Sequence, residues 1–157
     1  MTEKKEKIEI TDAMHKQLAV SAFNNTWGFI DKIKTEKLTP EEIDEMIHMA
    51  HASRYHWGKI GTPTHFERGE WQISRVYSLV GHPEAAIYHA KRCLEICKLN
   101  DIGDFDLAFA YEALARAYSV AGNDDKKKKF LEKAKEAAEK IKKKEDKDYF
   151  LSELESL

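Results

Sequence analysis

Two tyrosine-centred, glycine-terminated patterns, whose glycines lie 41 residues apart, constrain this chain most. The first is Ile73-x3-Tyr77-x3-Gly81, followed by Ala86, Ala90 and Cys93. The second is Leu114-x3-Tyr118-x3-Gly122, followed by Leu131 and Ala134. Residues spaced by four share one face of a helix, and glycine is the residue that stops one. In each pattern a second helix follows at once. A helix pair that recurs predicts a helical-repeat scaffold, in which each pair covers the apolar face of its neighbour.

The same periodicity predicts an all-α chain of about seven helices in one domain, residues 1–157. The first runs from Asp12 to about Lys34 and carries Leu18, Phe23, Trp27 and Ile30. The second starts at a Thr39 cap with Pro40 in its first turn and ends at Gly58. Thr62 and Pro63 repeat that grammar for the third, which ends at Gly81. Pro83 opens the fourth, Asp104 caps the fifth and Asp124 caps the sixth. A short last helix, Asp148–Leu157, reads as a cap over the end of the stack. The pairs are then 11–58, 62–99 and 104–144, with the cap at 148–157.

Charge removes several function classes. Charged residues make up 34% of the chain, yet both signs mix and the formal net charge is −2. No nucleic-acid partner is expected of such a chain. The Lys126–Lys129 run is interleaved with glutamates and gives pairs such as Glu136–Lys140, the mark of a solvated helix. No apolar run reaches the roughly 18 residues that a membrane span needs. Cys93 and Cys97 sit one turn apart with parallel side chains, a poor disulfide geometry. Reduced thiols and the Lys/Glu-rich start predict a cytoplasmic protein.

The paired helices resemble the tetratricopeptide repeat (TPR). The likeness rests on the Leu/Ile–Tyr–Gly spacing and on the small residues Ala86 and Ala90 after Gly81. Helices three to six carry it best, and helices one and two fit as a degenerate first pair. The unit is longer than the repeat's roughly 34 residues. Lys127 and Lys98 stand where the repeat has alanine and proline. The chain is also similar to small uncharacterised bacterial proteins of this type. The resemblance implies a right-handed superhelix whose first helices line a concave groove. It places Arg68, Trp71, Arg75 and Ser78 there, joined by Phe109, Glu112, Arg116 and Ser119. Two guanidiniums flanking an indole suit a carboxylate or phosphate, so an anionic or C-terminal group is the expected occupant.

Helix two ends in a histidine- and aromatic-rich stretch. His51, Arg54, Tyr55 and Trp57 form a candidate wall for a polar ligand. Glu45, His48 and His51 have the spacing of zinc or iron ligands. A single Glu-x-x-His falls short of a di-iron site, and His-Glu-x-x-His is absent. His89, Cys93 and Cys97 also share a stripe, but it spans about 12 Å, too far for one ion. That stripe reads as core, and neither a metal nor a cofactor is expected. No Gly-rich phosphate loop, Gly-x-Ser-x-Gly elbow or Cys-x-x-Cys is present.

The chain thus reads as a non-enzymatic scaffold that takes a protein or peptide segment in its groove, with a homo-oligomer left open. The alternatives are a small-molecule or anion-binding regulatory protein, and a metal-dependent enzyme centred on helix two.

Overall fold

The computed structural model describes residues 3–157 and, among them, seven α-helices and no strand. They are α1 (Asp12–Lys32), α2 (Pro40–Ile60), α3 (Pro63–Leu79), α4 (Pro83–Leu99), α5 (Asp104–Val120), α6 (Asp124–Ala138) and α7 (Lys144–Glu155). Among the described residues, no helix is long and apolar enough to cross a membrane.

The repeated Tyr-x3-Gly has a geometric cause. Gly81 and Gly122 adopt φ of 79° and 72°, the left-handed region. There the chain reverses. The His82 amide reaches the Tyr77 carbonyl at 2.9 Å, and the Asn123 amide reaches that of Tyr118 at 3.0 Å. Gly81 and Gly122 bond to Ser78 and Ser119. This closes the orphan carbonyls at each helix end, and a side chain at either glycine would strain the turn.

Helix boundaries follow local chemistry, with three starts and one end that differ from expectation. Thr39 and Glu42 form a reciprocal cap, at 3.2 and 3.1 Å. Asn123, not Asp124, caps α6, its Oδ1 accepting from the Lys126 amide. Asp104 lies inside α5, after Gly103, with a φ of 54°. Its carboxylate instead accepts from the Phe105 and Lys142 amides. Helix α2 runs through Gly58 to Ile60, and α7 starts at Lys144, where Glu145 and Asp146 suit the positive end of a helix.

Helices pair as α1/α2, α3/α4 and α5/α6, and successive pairs stack. The first helices also touch one another: α1 meets α3, α3 meets α5, and α5 meets α7. Among the described residues, α2, α4 and α6 do not meet each other. One layer is therefore continuous and the other splayed, which makes the α1–α3–α5–α7 side the inner one. Trp71 bridges the layers' cores, packing against three separate apolar clusters.

Small residues set the closest approaches. Ala86 is fully buried and its carbonyl accepts a hydrogen bond from Ser74 at 2.8 Å, which pins α3 to α4. Ala86→Leu is expected to destabilise the protein by about 1–3 kcal/mol through overpacking. A chemical denaturation midpoint left unmoved by the substitution would refute that crossing.

Candidate functional site

The inner layer holds a cavity of about 270 Å³. Its walls come from aromatic pairs one helical turn apart. Phe23 and Trp27 come from α1, Phe105 and Phe109 from α5, and Trp71 and Tyr149 stand between and beside them. The rings hold each other in place. Trp27 stacks on Trp71 at 5.6 Å between centroids, and Phe109 meets Trp71 edge-on at 5.6 Å. Such pairs add to the energy of area burial and fix ring orientation. The aromatic i, i+4 spacing of Phe23 with Trp27 and of Phe105 with Phe109 is legible in the sequence, but the repeat register assigns only Trp71 and Phe109 of these rings to the groove.

The remaining lining is polar: Glu67, Arg68 and Asp106. Arg68 grips Asp106 with both prongs, Nε to Oδ1 at 2.7 Å and Nη2 to Oδ2 at 3.0 Å. Burial works against the Asp106 carboxylate, but hydrogen bonds from Arg68 and Glu67 outweigh it and hold its pKa below the usual value. Glu67 behaves in the opposite way. Burial, followed by the neighbouring Asp106, pushes its pKa up to about 10. Glu67 is 1% exposed, and its Oε1 receives no donor. A proton on Glu67 that is donated to Asp106 resolves both facts. Glu67 Oε2 accepts from the Cys93 thiol at 3.4 Å. The floor is therefore a neutral acid beside a neutralised ion pair, under an aromatic box.

The expected anion grip is corrected by this geometry. Arg75 is buried, and its Nη2 donates to Glu112 and to Glu153, both at 3.0 Å. Arg116 donates to Glu112 at 2.6 Å, to the Glu153 carbonyl of α7 and to the hydroxyl of Ser156, which caps that helix. Glu112, fully buried, also accepts from Trp71 Nε1 at 3.3 Å. Two arginines and two glutamates thus neutralise each other beneath the groove. A buried guanidinium takes a fixed carboxylate partner, because leaving it unpaired is costly. Of the three, Arg68 is the exposed one, 55% against 7% for Arg75 and 14% for Arg116, and it stands at the cavity rim.

The helix-two candidates do not form one wall. His51 Nε2 pairs with the Tyr77 hydroxyl at 2.8 Å, and its ring meets His89 edge-on. Burial, then the charge of His89, lowers its pKa. Arg54 lies over Phe66 and beside Glu70 at 3.3 Å. Glu70 also takes His89 Nδ1 at 2.6 Å. Trp57 lies elsewhere, stacked on His65 at 3.9 Å, and Tyr55 is exposed. The reason is rotation along the helix: positions 51, 54, 55 and 57 span more than one face. Phe23, Trp27, Glu67, Phe105, Asp106 and Tyr149 are site residues that the sequence reading passed over.

No protein-family model matches the sequence, and no curated protein does. Among solved structures, the chain is similar to the TPR domain of Arabidopsis FLU, with a TM-score of 0.67 and 19% identity. The match covers 80% of this chain and 98% of that one. At that identity the likeness is one of fold, and the fold is the all-α, paired-helix stack of a TPR domain.

Proposed function

We propose that this protein is a non-enzymatic binding scaffold that holds a segment of another protein in its inner groove. The aromatic-walled cavity takes one large apolar side chain of that segment. The observation that carries this is the union of an apolar box with the exposed Arg68 guanidinium at its rim. An apolar anchor in a pocket supplies affinity, while Arg68 Nη1 donates to a main-chain carbonyl beside it. TPR folds commonly mediate protein–protein interaction, which supports the same reading. The small-molecule alternative has less behind it. A volume of about 270 Å³ fits a side chain better than a drug-sized ligand, for which pockets start at about 300 Å³.

The test is selection of peptides from a random displayed library, followed by titration. Selected peptides are expected to share one large aromatic or aliphatic residue. Its replacement by alanine should cost about tenfold or more in affinity, equivalent to at least 1.4 kcal/mol. Phe105→Ala with Tyr149→Ala in the protein should cost as much. Full affinity in that double variant, with its circular dichroism intact, would move the binding surface away from the cavity.

A further inference from the structure

From the side chains that converge behind the cavity, we infer a binding site for a thiophilic divalent cation, zinc above all. Its ligands are the Cys93 and Cys97 thiolates and the Glu67 carboxylate. All three residues are buried, and one ligand atom from each lies within 4.8 Å of the others. Cys93 Sγ and Glu67 Oε2 are 3.4 Å apart. Zinc bonds of about 2.3 Å to sulfur and about 2.1 Å to oxygen, at a tetrahedral angle, put such a pair about 3.5 Å apart. The observed spacing already matches one edge of that tetrahedron. Two cysteines at i and i+4 on α4 supply one side, and Glu67 from α3 closes it.

A second feature is the burial of Glu67, which is 1% exposed; in the metal-free protein the proton it shares with Asp106 satisfies its Oε1, and an ion takes the place of that proton. Charge also favours an ion there. Three anionic ligands and one divalent cation leave a single negative charge, against three without the ion, beside the Arg68–Asp106 ion pair, whose Arg68 Nε lies 3.8 Å from Glu67 Oε1. Binding releases the protons carried by Glu67 and the two thiols. The ligand type selects the metal class, since thiolates prefer zinc over magnesium or calcium. Glu67 lines the cavity, so an ion has a way in from the groove. The stripe His89–Cys93–Cys97 could not disclose this site, because His89 is bound to Glu70 and the third ligand comes from another helix.

Cobalt(II) titration of the full chain, with thiols kept reduced by a non-chelating phosphine, tests the site. One equivalent should bind with a thiolate-to-cobalt charge-transfer band and the visible bands of tetrahedral cobalt. Zinc should displace it. Cys93→Ser and Cys97→Ser should each remove the charge-transfer band, and Glu67→Gln should weaken binding about tenfold or more. Absence of the band in reduced wild-type protein overturns the site. So does cobalt bound without the band, which assigns it to the histidines. If the serine variants do not fold, Glu67→Gln decides alone: undiminished cobalt and zinc affinity in that folded variant overturns the assignment.

Discussion

In metal-free protein, Glu67→Gln is expected to raise stability, and to raise it more as the pH increases. The folded protein keeps a proton on Glu67 up to a pKa of about 10, whereas the unfolded chain releases it near 4.5. Between those values the native state binds one more proton than the unfolded state, so stability falls with rising pH. The contribution of this group is most favourable below 4.5, declines through that window and is flat above it. At pH 8 the accumulated cost is about 2–4 kcal/mol, which glutamine avoids. Its amide donates to Asp106 where the carboxyl proton did, and its oxygen accepts from Cys93. For a chain of this size the melting temperature should rise by about 5–10 °C. Melting curves of both proteins from pH 5 to pH 9 measure the difference. Parallel curves would mean that Glu67 is ionised in the fold and that the reading of the floor is wrong.

Glu112→Ala is expected to act in the opposite direction and at every pH near neutrality. Glu112 is fully buried and receives Arg75, Arg116 and the Trp71 indole. Its removal leaves two guanidiniums short of a counter-charge beneath the groove. Breaking one side of such a pair costs about 3–5 kcal/mol, a large share of the total stability of a domain. Glu153 compensates in part for Arg75, at 3.0 Å, so the loss should sit at the lower end of that range. The double variant Glu112→Leu with Arg75→Met should recover much of it, because apolar groups of similar volume need no partner. A loss below about 1 kcal/mol in Glu112→Ala would show that water reaches the network and screens it.

The helices were legible in the sequence because their signals are local. Thr39 with Glu42, and Tyr77 with Gly81, act within one turn of chain, so spacing alone reveals them. The groove was legible less well. Arg68, Trp71 and Phe109 do face the cavity. Arg75 shares their helix face in projection, yet the neighbouring α5 and α7 bury it. Whether a guanidinium is free depends on residues 37 and 78 positions away, which no periodicity encodes. The same holds for Glu67. Nothing beside it in sequence marks it as a protonated acid; that follows from its burial between helices and from Asp106, delivered by α5.

The aromatic cavity is built from partners of unequal anchorage. Helix α5 touches α3, α4, α6 and α7, and its alanines at 108, 110, 113, 115 and 117 are buried on all sides. Phe105 and Phe109 therefore stand on a helix packed against four others. Phe23 and Trp27 stand on α1, which rests chiefly on α2 and touches α3 lightly. Gln72 Nε2 to the Phe23 carbonyl, at 3.1 Å, is one of the few polar ties that hold it there. One wall is thus a bedplate and the other a jaw. An occupant larger than the empty cavity would have to displace the α1–α2 pair, at the cost of that tie, the Trp27–Trp71 stacking and the packing of Met46 and Ala50 on Ile73 and Val76. Amide hydrogen exchange will register such an event in α1 while leaving α5 silent.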